Sequence, residues 1–165
     1  MSAKETKDRL THTDQAGKAS MVDVSDKPIT TRTAKASGSI MMQAETLTAI
    51  RDNRLKKGDV LATARIAGVM AAKRTHDLIP LCHPLALNDV QVEIIEREDG
   101  TGLSVLTTVR TSGKTGVEME ALIACNIALL TLYDMAKAID RHMVITDVKV
   151  TSKAGGASGD WSLDD

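Results

Sequence analysis

The chain has 165 residues, is 42% hydrophobic and 26% charged, and carries a formal net charge of −1. That length favours one domain around one core, and the balance of residue types is an ordinary globular one. A near-neutral chain has no global field to draw it to nucleic acid or to an anionic membrane. Stacking of single-stranded bases needs aromatics. Here there is no Phe, and Trp161 and Tyr133 are the only Trp and Tyr. The core must therefore be aliphatic, with the eight Met residues filling gaps.

In chain order, residues 1–20 form a polar arm without periodicity and without the apolar stretch of a signal peptide. From Met21 the text turns β-branched and predicts an extended segment leading into a strand over 34–42. A short helix over 44–54 follows. The turn Lys57-Gly58-Asp59 then offers Asp59 as N-cap to an alanine-rich helix over 60–74, whose small residues let neighbours come close. IPLCHPL (79–85) holds Pro80 and Pro84 and reads as a stiff connection. Strands over 90–98 and 102–110 meet at Asp99-Gly100, a hairpin signal. A long helix over 116–140 and a strand over 143–151 complete the order. The arrangement is α+β, a ferredoxin-like antiparallel sheet with its helices packed on one face and one extra helix. Residues 21–154 make a single domain, and 155–165 a flexible Gly/Ser-rich and acidic tail. The most apolar run, 121–133, is interrupted by Asn126 and is too short to span a bilayer. A cytoplasmic location is expected.

The long helix is apolar nearly all round, which marks it as buried and makes its polar residues informative. Glu120, Asn126, Thr131, Asp134 and Lys137 fall within an arc of about 140° at helical pitch. Glu118 lies near the opposite side, where Thr115-x-x-Glu118 spells a capping box, so capping explains it as well as chemistry does. Asp134 and Lys137 are three apart and face each other. A surface ion pair is the bland reading. An acid/base pair is the functional one, favoured by Met135, Ala136 and Ile139, which read as buried around it. Partial burial would move either group toward the working range. Glu120 and Asp134 stand roughly 21 Å apart along a helix and cannot both touch one small ligand from a single copy. A site using both must lie between subunits of a symmetric oligomer.

Other motifs are weaker. Gly113-Lys114-Thr115 resembles the end of a P-loop, but Thr108 stands where that motif needs Gly, inside a predicted strand. The helix N-terminus there remains open to an anion. Lys153 with the glycines after it can present N–H groups and a cation to phosphate. Lys57 reads as a phosphate ligand, a proton donor or a solvated turn lysine. Cys82 and Cys125 lie far apart, and neither a disulfide framework nor zinc spacing can be built from them and the histidines His12, His76, His83 and His142. His83, held between prolines, suits hydrogen bonding to a ligand or proton transfer as well as it suits a structural role.

The literal text is more specific than the spacing. MVDVSDK (21–27), KKGDVLATARIAGVMAAKRTHDLIPLCHPL (56–85), SGKTGVEMEALIAC (112–125), LYDMAKAIDRHMVI (132–145) and SKAGGASGDW (152–161) closely resemble the cyclic pyranopterin monophosphate synthase family, in order and over nearly all of 21–161. The resemblance implies a lyase of molybdenum-cofactor (molybdopterin) biosynthesis. Its substrate would be a cyclised dihydro-GTP, 3',8-cyclo-7,8-dihydroguanosine 5'-triphosphate, made by an upstream radical enzyme. Its products would be cyclic pyranopterin monophosphate and pyrophosphate. It implies a homohexamer, a trimer of dimers with the site at the dimer interface, and neither metal nor redox cofactor. Carried over by position, Asp134 is implied as catalytic acid/base with Lys137 and Lys57 as functional lysines. Leu81, Cys82, His83, Met119, Glu120 and Lys153 are implied as substrate-binding. Two rivals stay open at this point. One is a phosphohydrolase or cyclase on another nucleotide, and the other a non-catalytic oligomeric module that senses one.

Overall fold

A computed structural model describes residues 18–157 and 159–163. Most of the arm, His12 and the last two acidic residues lie outside the described residues. The elements are β1 (Thr30–Met41), α1 (Ala44–Arg51), α2 (Val60–Ala72), α3 (Thr75–Leu78), β2 (Leu87–Glu96), β3 (Gly102–Gly113), α4 (Glu118–Ala136), β4 (Val144–Ala154) and β5 (Trp161–Ser162). The sheet runs β2-β3-β1-β4-β5, and every neighbouring pair is antiparallel. With β1 and β3 central and α2 and α4 between strands, the path is the ferredoxin-like one expected. Two short helices, α1 and α3, stand beside that pattern, where the sequence suggested one.

Alternation along β1 decides which face is covered. Ala34, Ala36 and Ile40 are buried, while Lys35 between them is exposed. Opposite them on β3, Val109 pairs with Ala34, Thr107 with Ala36 and Leu103 with Ile40. α4 lies across this face. Gly38 lets it do so, because a Cβ there would stand 2.8 Å from both Leu129 Cδ1 and Val148 Cγ2. Small residues also set the α2–α4 distance. Ala64 is fully buried, and a Cβ on Gly68 would come within 2.9 Å of the Ala124 carbonyl. The remaining core is aliphatic, built on Ile40, Val105, Val109, Val117, Leu129 and Leu132.

Several boundaries differ from the sequence reading for local reasons. β1 starts four residues before 34, because it pairs with β3 from Thr30↔Gly113 onward. α1 stops at Arg51, where Asn53 adopts a left-handed conformation (φ 51°). Asp59 caps α2 as expected, its carboxylate accepting from the Ala62 N–H at 2.9 Å. The expected capping box at the start of α4 does not form. The N-cap is Val117, without a side-chain cap bond, and Glu118 is turned instead to Lys153. α4 is nonetheless 19 residues, long and apolar enough to cross a membrane by length and composition alone. Its buried residues, including Ala121, Cys125, Ala128, Leu129 and Leu132, place it in the core cluster with the sheet. β4 runs on to Ala154, and after a turn closed by Asp160 accepting from the Gly155 N–H, Trp161 pairs with Lys153.

Candidate active site

Three groups of side chains matter, and α4 relates them all. At its N-terminal end, the stiff loop after α3 brings Leu81, Cys82 and His83 against Met119 and Glu120. Together with Val22 and Val24 they line a cavity of about 310 Å³. The loop is held by the Cys82 N–H bonded to the Ile79 carbonyl, and by His83, whose Nε2 lies 2.8 Å from the Val22 carbonyl oxygen. A carbonyl only accepts, so Nε2 carries the proton, and in the neutral ring Nδ1 is the acceptor. Glu120 is 4% exposed. Burial pushes its carboxyl up and the Glu118 charge adds to this, while its own backbone N–H and His76 act the other way. Burial and the charge of Glu120 also push the Cys82 thiol up, which keeps it from serving as a ready thiolate.

A second cavity of about 390 Å³ adjoins the first and shares Lys27, Thr115, Gly116 and Glu118 with it. Its walls add Arg32, Lys114 and Lys153, so four cations face one carboxylate, Glu118, which stands 3.5 Å from Lys153. Arg32 donates from Nε to the Gly113 carbonyl, and Lys114 donates to the Ser25 carbonyl at 2.6 Å. The glycines after β4 are there for room. Gly155 has φ +89° and a Cβ on it would overlap the Thr31 carbonyl, while one on Gly156 would overlap the Arg32 guanidinium. A surplus of positive charge with glycine backbone beside it is the chemistry of an anion site.

The third group sits at the other end of α4. Asp134 accepts from Lys137 at 2.6 Å and from Lys57 at 2.7 Å, and Lys57 also donates to the Asp134 carbonyl. Lys57 gets there because the chain turns sharply at Gly58, φ +88°, just ahead of α2. The expected pairing of Asp134 with Lys137 is present, but the expected burial is not. Both side chains are about half exposed; of the neighbours read as buried, Met135 and Ala136 are buried and Ile139 is 53% exposed. Hydrogen bonds from Lys137 and Lys57 hold the Asp134 carboxyl at about 2, away from the working range. Asp134 in turn raises Lys137.

The chain thus brings Leu81, Cys82, His83, Met119 and Glu120 into one cavity, with Lys153 in the adjoining one. Asp134, Lys137 and Lys57 form a separate cluster that lines neither cavity. Asn126 and Thr131, on the same polar arc, each bond back to the carbonyl four residues earlier, to Leu122 and Ile127. Sequence reasoning missed Lys27, Arg32 and Lys114. Lys114 was visible in the Gly-Lys-Thr turn, set aside with the P-loop. Arg32 carried no local signal, because it reaches the site through β1–β4 pairing, with Thr33 opposite Ala154. Among the described residues, no three His, Cys, Asp or Glu side chains converge as a metal site requires.

Comparison with known proteins agrees with the literal text. A family model described as "MoaC family" matches residues 21–156. The chain is 56% identical over 157 residues to the cyclic pyranopterin monophosphate synthase of Brucella ovis, covering 95% of each chain. It is 57% identical over 155 residues to that of a Methylobacterium species, covering 94% of this chain and 97% of the relative. With that of Streptomyces avermitilis the identity is 55% over 155 residues, 94% and 90% of the two chains.

Proposed function

The chain belongs to the MoaC family, a family of lyases, and we propose that it serves molybdenum-cofactor biosynthesis by converting the cyclised dihydro-GTP to cyclic pyranopterin monophosphate and pyrophosphate. The observation that best supports this is the pair of joined cavities. The first, half apolar and lined by Leu81, Cys82, His83 and Met119, suits the purine-derived rings. The second, with Lys27, Arg32, Lys114 and Lys153, suits a triphosphate chain. When a ribose hydroxyl attacks the α-phosphorus, the departing pyrophosphate gains charge, and fixed cations and N–H groups beside it lower that barrier.

Ring rearrangement needs repeated proton transfers. At neutral pH the ion pairs hold Asp134 as a carboxylate and Lys137 as an ammonium, which sets a proton acceptor beside a donor but leaves each weak for as long as they stay paired. Lys57 holds the carboxylate in place. In this reading Asp134, Lys137 and Lys57 serve the cavities of a neighbouring copy, at a dimer interface within a trimer of dimers. α4 is too long for one copy to supply both ends. That positions 134 and 137 carry Asp and Lys, and not a neutral residue, speaks for catalysis over a nucleotide-sensing module.

Purified wild-type protein, given the cyclised dihydro-GTP, is expected to release pyrophosphate and form the pyranopterin product, followed by mass spectrometry. No product would sink the assignment. Turnover of unmodified GTP instead would favour the cyclase or phosphohydrolase reading.

A further inference from the structure

Among the described residues two carboxylates are buried, Glu120 and Asp140. Glu120 lines a cavity. Asp140, 2% exposed, lines none of those described and has no part in the chemistry proposed above. It lies just beyond α4, and its bonds run to another part of the chain. Oδ2 accepts from the Gln43 N–H at 2.9 Å and from the Thr46 hydroxyl at 3.3 Å, while Oδ1 accepts from the His142 N–H at 3.0 Å. Burial pushes its carboxyl up, but the hydrogen bonds from Gln43, His142 and Thr46 outweigh that and hold it below the ordinary value.

Gln43 is the N-cap of α1, and its own side chain makes no cap bond. The capping group is supplied instead by Asp140, a carboxylate at the positive end of a short helix. What α1 leads to gives this contact its interest. The chain from α1 to Lys57 is a run of bonded turns. The Asn53 N–H bonds to the Ile50 carbonyl, that of Arg54 to Ala49, and that of Gly58 to Leu55. Two bonded turns, 49–54 and 55–58, thus follow each other directly, and a displacement of α1 has a short path to Lys57. The end of α4 grips this segment twice, at its start through Asp140 and at its finish through Asp134 and Lys57.

We propose that Asp140 is a positioning residue for Lys57: by anchoring the N-terminus of α1 to the end of α4, it sets the backbone from which the Lys57 ammonium reaches Asp134. The bearing on catalysis rests on the function proposed above, while the mechanical link does not. Lys57 is half exposed on a flexible four-carbon stem, so its reach to Asp134 depends on where its backbone is held.

Trace acetylation of the native protein, read lysine by lysine by mass spectrometry, tests the link without substrate. In the wild type Lys57, hydrogen-bonded to Asp134, should react more slowly than its exposed neighbour Lys56. In Asp140→Asn the ratio of Lys57 to Lys56 labelling should rise about two- to fivefold, the change expected when an exposed ion pair loosens. Lys137, paired with Asp134 within α4, should keep its wild-type rate. Thr46→Val, which removes one donor and keeps the shape, should give a smaller rise in the same direction, and it serves if Asp140→Asn folds poorly. An unchanged Lys57 ratio in both variants would overturn the proposal. So would equal acceleration of Lys57 and Lys137, which would mean general loosening. In a turnover assay Asp140→Asn should lower kcat with KM near wild type. Faster Lys57 labelling with full turnover would keep the link and remove Lys57 from the chemistry, so the two readings fail separately.

Discussion

At the first turn of α4 Glu120 is 4% exposed, and burial pushes its carboxyl up. At the last turn Asp134 is about half exposed, and two lysines hold its carboxyl at about 2. The two carboxylates share a helix and lie on the same arc, yet their surroundings give them opposite tendencies. One environment penalises charge and the other neutralises it with opposite charge. Periodicity found both residues and could not tell them apart, because what distinguishes them is supplied by distant segments. These are the loop over 79–85 at one end and the Lys57 turn at the other.

The largest effect is expected where the charge is paired. Asp134→Asn removes the proton acceptor from an exposed position, so the fold should survive while kcat falls by about 10²- to 10⁴-fold. Turnover near wild type, with matching melting curves, would take Asp134 out of the mechanism and leave the cluster a surface ion pair. The next test asks whether the two ends belong to one site. Glu120→Ala and Asp134→Ala chains, each inactive alone, should regain activity on unfolding and refolding together. About a quarter of wild-type activity is the return expected from random pairing of copies across a two-fold interface. No recovery in mixed oligomers would count against a shared site.

The smallest effect concerns stability. Glu120 has a raised carboxyl, so the fold prefers it neutral. That preference is fully present below the carboxylate range of the unfolded chain and is lost as pH rises through the raised value. Glu120→Gln should therefore gain in stability on the wild type as pH climbs from 4 to 8, measured by denaturant titration. Asp134 runs the other way. Its contribution is present above the unfolded carboxylate range and disappears as pH falls toward about 2. A wild-type-minus-Gln difference that is flat with pH would remove the contrast between the two ends.

The order of the four long strands and of the helices α1, α2 and α4 was legible, as was the packing of helices on one face, because the β-branched runs, the Asp-Gly turn and the nearly all-apolar helix are local signals. The Asp59 cap was legible for the same local reason. The fifth strand was not, since Trp161-Ser162 has no pattern of its own and is defined only by pairing with β4. Of the two readings left open for Glu118 the cap fails, because the capping-box string is local, whereas the Lys153 that draws its carboxylate arrives from β4. Lys27 and Arg32 share that difficulty. A basic cavity assembled from β1, the β3–α4 turn and the end of β4 leaves no run of positive charge in the sequence.

Gly38 and Gly68 let α4 lie tightly on the sheet and on α2, so the helix cannot slide or roll to absorb a change in its own length. Deleting one residue between Glu120 and Asp134 would swing one end about 100° against the other and shorten the span by about 1.5 Å. The tip of the hairpin at Asp99-Gly100 is exposed and, among the described residues, bonds only to Arg97 and Thr101 beside it, so the tip itself has no such phase to keep. Length variation should therefore be tolerated at that hairpin and excluded from α4, where the count of residues, as much as their identity, determines what the helix presents at its two ends.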